Sequence, residues 1–258
     1  MIRKSTLAFV VLGLLAAGSA LTGSAQAPEV KEKPRMYTYV SYWAVPRAQW
    51  AEYEKGSAET QATIAKALAD GTIVAYGTDQ NLIHTPDGAT HDGWFSAMSM
   101  AGLLNVLDQI YKSNYPTSPA VTSATKHWDE VMVTRYYNWH SGSWKGVYTS
   151  GSAYKLKADA PNDAIDQLSK NLVVPVMEKL LADGTIHEYE IDTQAVHTSA
   201  PGTFWIFYIG ANAESLDKVN DVIREALKAN PLAGPAFGSM TDPSGHRDAL
   251  AMTSATYK

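Results

Sequence analysis

Short segments of alternating hydrophobicity and longer segments with helical spacing of apolar residues follow one another twice along the chain. In the first unit, β-branched and aromatic residues begin the pattern, and Asp70-Gly71 ends its first helical segment. The predicted order is strand 37–45, helix 47–69, strand 72–85, strand 94–98, a helix face at 103–111 and strand 131–137.

The second unit repeats this order, with its own stop at Asp183-Gly184. Its predicted elements are strand 153–158, helix 161–182, strand 185–198, strand 203–209, helix 213–229 and strand 248–256. The two units are copies of one sequence. Residues 66–85 and 179–198 share 11 identities in 20 ungapped positions at a constant offset of 113 residues.

The order β-α-β-β-α-β is the ferredoxin-like unit, whose sheet carries helices on one face only. Two such sheets in one chain can bury their bare faces against each other. We therefore predict an α+β fold of two tandem ferredoxin-like repeats, 36–137 and 152–258, that form an intramolecular pseudo-dimeric barrel. Residues 26–35 are predicted to be a flexible N-terminal segment, and the Gly- and Ser-containing stretch 138–151 a linker.

With this element order in both copies, and with Ala229-Asn230-Pro231 after the last predicted helix, the chain resembles the dimeric α/β-barrel superfamily in a tandem-repeat form. That superfamily includes NIPSNAP-like proteins, antibiotic-biosynthesis-monooxygenase-like enzymes that need no cofactor, stress-response barrel proteins and haem-binding relatives. The resemblance implies the barrel fold. It assigns no catalytic residue, because no family signature is matched residue by residue, and it leaves the cofactor unknown.

The N-terminus has the three parts of a secretory signal: Arg3 and Lys4, an apolar run, and small residues before a cleavage site. We predict a signal peptide over residues 1–25, with cleavage after Ala25 or, as the alternative, after Ala27. The protein is then exported, to the periplasm or outside the cell. The chain has no cysteine, which excludes a lipid-modified cysteine anchor, and no stable membrane anchor is expected after cleavage.

Composition narrows the choice of partners. The formal charge of −5 does not favour nucleic acid, which needs a basic surface. The chain contains 7 tryptophans and 14 tyrosines, which suit a small apolar or aromatic ligand but serve equally well in packing. A closed barrel within one chain requires no oligomer.

The polar residues that occur in both copies are the candidate site, because their repetition is the available evidence within the sequence that a position matters. Alternation places Tyr76 with His84, and the aromatic residues of the first strand together on a face that we expect to line the barrel interior. The ends of the second and fourth strands should bring the histidines of each copy to one end of the sheet. The predicted ligand-binding residues are His84, His197, Tyr76, Tyr189, His127, His246, Tyr39 and Trp43.

Three interpretations of these residues stay open. They bind a metal, although no compact metal-ligand motif is present and no metal is assigned. They transfer protons on an organic substrate, as in an oxygenase- or isomerase-like enzyme. In the third interpretation, they only cap strand ends.

Residues that differ between the copies are a second kind of evidence. His91 and Asp92 make the first copy more polar than the second at this position, whereas His187 and Glu188 of the second copy have the pattern of surface variation.

The function predicted from the sequence is therefore that of an exported small-molecule-binding protein with its ligand between the two sheets. A cofactor-independent oxygenase- or isomerase-like enzyme, and a structural or interaction protein with a filled barrel, are the alternatives. The catalytic residues, if any, are unknown at this stage.

Overall fold

The computed structural model describes residues 30–113 and 117–258. The first repeat contains β1 (Met36–Ala44), α1 (Trp50–Asp70), β2 (Ala75–Asn81), β3 (His91–Ala97), α2 (Met100–Lys112), α3 (Pro119–Ser123) and β4 (Lys126–Trp139). The second contains β5 (Gly142–Leu156), α4 (Ala164–Leu168), α5 (Val174–Ala182), β6 (Ile186–Val196), β7 (Thr203–Gly210), α6 (Ala213–Ala229), α7 (Ala233–Met240) and β8 (Thr241–Tyr257). A 3-10 turn precedes α1, and a π-helical turn at Ser169–Val173 joins α4 to α5.

The eight strands close into one antiparallel barrel in the order β1-β3-β2-β8-β5-β7-β6-β4. Each repeat supplies four consecutive strands of this order, which is the sheet of a ferredoxin-like unit. The two seams between the repeats are the pairs β2–β8 and β4–β6. This confirms the predicted α+β fold class, with the barrel closed inside a single chain.

The duplicated Asp-Gly-Thr segment ends the long helix of each repeat. Gly71 and Gly184 have φ values of 83° and 75°, which is the left-handed conformation that glycine adopts without a Cβ clash. The carboxylate of Asp70 accepts a hydrogen bond from the backbone N–H of Thr72 at 2.9 Å, and Asp183 accepts one from Thr185 at 3.0 Å. The strongest identity between the copies is therefore a helix stop.

Both faces of each sheet are buried, but by different means. The outer face packs against helices, through Phe95 and Leu103 in the first repeat and through Leu180 and Phe204 in the second. The inner face looks into the barrel, where Val40 and Met132 of the first repeat meet Trp205 of the second.

Several predicted boundaries differ from the structure. The stretch 138–151, predicted as a linker, is largely strand: β4 runs to Trp139 and β5 begins at Gly142. The short connection between them passes from one sheet to the other, since β4 pairs with β1 and β6 whereas β5 pairs with β7 and β8. The glycines of the stretch serve the sheet, since Gly146, with φ of 69°, lies at a register shift in the pairing of β5 with β8. Strand β2 ends at Asn81, so the predicted strand 72–85 is too long.

The predicted signal peptide, residues 1–25, and the beginning of the segment 26–35 lie outside the described residues. Within the described ranges, none of the helices combines the length and apolar character that a membrane crossing needs.

Candidate functional site

A cavity of about 430 Å³ lies between the outer face of the first sheet and helices α1, α2 and α3. We call it the side cavity. Strand β1 contributes alternate residues, Tyr39, Ser41 and Trp43, because every second side chain of a strand points to the same face. Tyr53 of α1 and Tyr111 of α2 form further aromatic walls. The volume lies in the range of small-molecule pockets.

A line of hydrogen-bonded polar groups runs across β1 and β4 at this cavity. Ser41 Oγ lies 3.0 Å from His127 Nε2, which in turn lies 3.3 Å from Asp129 Oδ1. The hydroxyl of Tyr39 donates to the same Oδ1 at 2.7 Å. Strand register explains the arrangement, since Ser41 pairs with Asp129 and Trp43 with His127.

The environment sets the protonation of this polar line. Burial lowers the pKa of His127, and the negative charge of Asp129 opposes this shift without cancelling it. Burial, reinforced by Asp129, raises the pKa of Tyr39, which therefore stays a hydrogen-bond donor. The approach of Nε2 to Asp129 favours a proton on Nε2 and leaves the other ring nitrogen as an acceptor. A neutral imidazole backed by a carboxylate can take up a proton, because the carboxylate stabilises the resulting cation.

One polar atom of the cavity wall has no partner. The hydroxyl Oγ1 of Thr60 is buried without a hydrogen bond, and Thr60 lines the side cavity from α1. An unpaired buried hydroxyl costs on the order of 1–3 kcal/mol. A bound molecule with a polar group would remove that cost.

The corresponding region of the second repeat is filled by its own side chains. Leu168, Met177 and Phe204 are buried there around Tyr189, which is only 1% exposed. The hydroxyl of Tyr189 donates to Glu178 Oε1 at 2.6 Å. The two halves of the duplication therefore differ, and the open cavity belongs to the first.

Four of the predicted site residues line the side cavity: Tyr39, Trp43, Tyr76 and His127. Their expected location was wrong, however. Tyr39 packs against residues of α1 and α2, and Trp43 packs against Tyr53 of α1, so the aromatic face of β1 points to the helices and away from the barrel interior.

The other four predicted residues lie elsewhere. Tyr189 is in the second core, and His197 is exposed beyond the end of β6. His246 is exposed and stacks on Tyr154 at 4.6 Å between ring centroids. His84 lies in the loop after β2, so alternation along that strand does not relate it to Tyr76.

His84 and His127 do lie at the same end of the first sheet, as the topology predicts. His84 contacts Trp50 with ring centroids 5.8 Å apart, and the Trp50 indole donates to the backbone carbonyl of Val45, directly beyond β1. His127 packs on Trp43 at 3.7 Å. The rings that His84 and His127 contact both belong to the first repeat. These contacts therefore do not support the prediction that histidines from the two copies meet.

His91, a copy-specific residue, joins this end of the sheet as a buried neutral imidazole. Its ring lies 5.0 Å from that of Trp50 and 4.8 Å from that of Tyr53. Burial, with a smaller contribution from His84, lowers the pKa of His91 to about 4. Its Nε2 is buried without a hydrogen-bond partner.

A second cavity, of about 260 Å³, lies inside the barrel. Its walls carry Asp79, Asp92, Glu188 and Glu190. Burial raises the pKa of each of these carboxyl groups, that of Glu190 to about 7. Glu188 is 3% exposed, which corrects its interpretation as surface variation. Two acids of the cavity lining belong to sequence pairs: Asp79 pairs with Asp192 of β6 at the offset of 113, and Asp248 pairs with Asp129 at the offset of 119.

The donors present do not form a cluster suited to a metal ion. Across the described ranges, no three His, Asp or Glu side chains are grouped so that they could hold one. His127 is the histidine of the side cavity, and its Nε2 is already engaged with Ser41 and Asp129, which leaves Nδ1 as its acceptor.

The structure is thus a tandem α+β barrel with a cavity beside one of its sheets. The sequence matches no protein-family model and no curated protein sequence. Solved structures do match, and they show the fold.

Two of these structures are each described as a "putative monooxygenase". The one from Lactobacillus acidophilus has a TM-score of 0.60 and 12% identity, and the match covers 86% of this chain and 96% of that one. The one from Fusobacterium nucleatum has a TM-score of 0.63 and 8% identity, covering 88% and 95%. An anthrone oxidase-like protein has a TM-score of 0.53 and 10% identity, covering 86% and 92%.

Proposed function

We propose that this protein binds a planar, mainly apolar aromatic molecule in the side cavity of the first repeat. The observation that carries the proposal is a cavity of about 430 Å³ with aromatic walls and one hydrogen-bonded polar line. The ring system would contact Trp43, Tyr53 and Tyr111. A single hydroxyl or carbonyl of the ligand would meet His127 and Ser41.

The balance of apolar and polar groups supports this class of ligand. Aromatic side chains bury large areas and pack well against flat rings. The few polar groups of the wall, including the unpaired hydroxyl of Thr60, would orient the ligand and exclude fully apolar molecules. The description of one similar structure as anthrone oxidase-like suggests a tricyclic aromatic ketone, anthrone, as a probe.

The test is calorimetric titration with 2-naphthol and with anthrone, using two matched variants. His127→Gln removes the imidazole at the cavity. His246→Gln removes the equivalent imidazole of the second repeat, which likewise lies beside an aspartate, with 3.0 Å between His246 Nε2 and Asp248 Oδ1, but is exposed. We expect 1:1 binding that weakens about tenfold in His127→Gln, the loss of one good hydrogen bond. His246→Gln should bind like the unmodified protein.

Failure of both probes to bind, or equal weakening in both variants, would contradict the proposal. A cavity-filling variant, Ser57→Phe, gives a separate check because Ser57 lines the cavity from α1. It should abolish binding while the protein still unfolds cooperatively.

A second candidate function is an enzyme of the cofactor-independent oxygenase or isomerase kind. The pair His127–Asp129 favours it, since a neutral imidazole backed by a carboxylate suits removal of a proton from an acidic C–H bond. Oxygen consumption with anthrone separates the candidates. Uptake that depends on His127 supports the enzyme, and binding without turnover leaves the binding protein.

We also propose that the protein is exported, on the strength of the charged, apolar and small-residue pattern of residues 1–25. The mass of the protein recovered from the periplasm or the medium tests this. Recovery of the full 258 residues, confined to the cytoplasm, would contradict it.

A further inference from the structure

We propose that the barrel interior is a second site, separate from the side cavity, and that it binds an organic ammonium ion between carboxyl groups on two opposite walls. One wall is formed by Asp79 of β2 and Asp92 of β3, and the other by Glu188 and Glu190 of β6. In the strand order around the barrel, β2 and β6 are four positions apart in a ring of eight, and therefore face each other.

The first wall is a pair of neighbouring carboxyl groups, since Asp79 and Asp92 are register partners. The Trp94 indole donates to Asp79 Oδ2 at 2.9 Å, and the hydroxyl of Thr253 donates to Oδ1. Asp92 shares a proton with Asp79 and accepts one long hydrogen bond of 3.4 Å from the Asn81 amide. An incoming N–H group would offer Asp92 a stronger donor than the Asn81 amide does.

The second wall contains the most direct sign of a missing partner. Asp192 lies on the same inward face of β6 as Glu188 and Glu190, and is 0% exposed. Neither of its oxygens has a hydrogen bond of normal geometry, and its neighbour is the Glu190 carboxyl, which lines the cavity and shares a proton with it. Two buried carboxyl groups held together in this way are costly, and an N–H group of a ligand at Glu190 would stabilise the pair.

The charges that face this interior do not balance. Besides the five acids, Tyr42 of β1 and Tyr257 of β8 face it, and Glu130 of β4 is already bonded to Tyr42 and Ser199. Asp248 also lines the cavity, but its side chain is exposed and bonded to Ser152 and His246. Among the described residues that line the cavity, Arg247 is the one Lys or Arg. Its guanidinium is exposed at the mouth and donates to backbone carbonyls of Ser244 and His246. The interior must therefore hold either protons or an external cation.

The lining favours an organic cation over a metal ion. No set of three carboxylate or imidazole groups is suitably placed for a metal in the described ranges. Instead, Trp94, Trp205 and Phe207 add ring faces to the carboxyl groups. Ammonium groups gain from both, through charge-assisted hydrogen bonds and through cation–π contact.

Two glycines leave the space that two of these rings, those of Trp94 and Phe207, occupy. A Cβ at Gly77 would overlap the Trp94 ring, and one at Gly151 would overlap the Phe207 ring. The rings thus lie flat over the backbone of a neighbouring strand and leave the middle of the barrel open.

Binding must release protons if the amine enters in its charged form. The free acids are held partly protonated by burial and by their mutual repulsion. As R–NH₃⁺ enters, a carboxylic acid gives its proton to the solvent and becomes the carboxylate that accepts the N–H bond. The amine keeps its own proton, and no other bond is made or broken.

The test is calorimetric titration with putrescine, a linear aliphatic diamine, at pH 7.5 and constant ionic strength in phosphate and in HEPES, a bulky sulfonate buffer without a primary ammonium group. We expect saturable 1:1 binding with a heat that differs between the two buffers, because released protons are taken up by the buffer. Glu190→Gln should weaken binding about tenfold or more, since a hydrogen bond to a charged group is lost. His127→Gln is the matched control, and should leave putrescine binding unchanged because His127 belongs to the side cavity.

Several results would overturn the proposal. Heats of binding that are the same in both buffers would show that no buried carboxylic acid releases a proton, and would contradict the entry of a charged amine among these acids. Binding that is unchanged in both Glu190→Gln and Asp192→Asn would place putrescine on the acidic outer surface. Saturable binding of Ca²⁺ but not of putrescine would replace the organic cation with a metal. The result for 2-naphthol is independent of all of these, so failure here does not decide the side cavity.

Discussion

Replacement of Glu190 by Gln tests the buried acids through their effect on stability. Burial raises the pKa of Glu190 from 4.5 to about 7. The folded state therefore binds more protons than the unfolded state between these values, and stability is lost as the pH rises through this window. Glutamine has nearly the same shape and does not titrate, so this loss should disappear in the variant.

The magnitude follows from the two pKa values. Integration of the proton-binding difference between pH 5 and pH 8 gives about 2–3 kcal/mol, at roughly 1.4 kcal/mol for each pKa unit. The unfolding free energy of Glu190→Gln relative to the unmodified protein should rise by at least about that amount over this range. Taking the difference cancels the opposite contribution of histidines whose pKa burial lowers, such as His91. It does not cancel Asp192, whose pKa is raised by burial and by Glu190, but the loss of Glu190 lowers that pKa and so acts in the same direction.

The measurement is urea unfolding at pH 5, 6, 7 and 8, followed by tryptophan fluorescence. Glu225→Gln is the matched control, because the Glu225 side chain is 68% exposed on α6, and its difference from the unmodified protein should stay constant within about 0.5 kcal/mol. A difference for Glu190→Gln that is flat or that falls with pH would refute the reasoning.

Three further predictions concern packing, capping and the side cavity. Gly151→Ala should destabilise the protein by about 1–3 kcal/mol in urea unfolding, because the new methyl group overlaps the Phe207 ring. Gly234→Ala in α7 is the control: its new methyl group meets no atom within 4 Å, so the change should be neutral or stabilising by up to about 1 kcal/mol. Asn212→Ala should cost about 1 kcal/mol in the same assay, because Asn212 caps the N-terminus of α6; no change would show that the cap is dispensable. Binding of 2-naphthol should weaken as the pH falls through the lowered pKa of His127, since the imidazolium no longer accepts a hydrogen bond, and constant affinity down to pH 4 would exclude that bond.

The fold follows from the sequence because the repeat and the element order act together. One ferredoxin-like unit leaves a bare sheet, and the duplication supplies a second sheet to cover it. The stretch 138–151 was misjudged because glycine and serine are typical of loops. In this barrel Gly151 makes room for a ring and Gly146 lies at a register shift, and these are demands of tertiary structure.

The site was only partly predictable for a related reason. Alternation shows that Tyr39, Ser41 and Trp43 share a face, but both faces of this sheet are buried, so the pattern does not say which one points to the helices. Glu188 and Glu190 also alternate on β6. Carboxyl groups are usually exposed, so the expectation for Glu188 was the opposite of its position. The duplication of Asp79 as Asp192, and of Asp129 as Asp248, was the available signal for acids at this cavity.

The seam between β2 and β8 joins the first repeat to the final strand of the second. Tyr257 pairs with Ala75, and Lys258 places its ammonium group by the backbone carbonyls of Leu68 and Ala69 at the end of α1. A folding intermediate in which only the first sheet has formed therefore has an open strand edge on β2 until β8 is added. Open edges pair readily with other chains, so refolding at high protein concentration should favour aggregation over barrel closure.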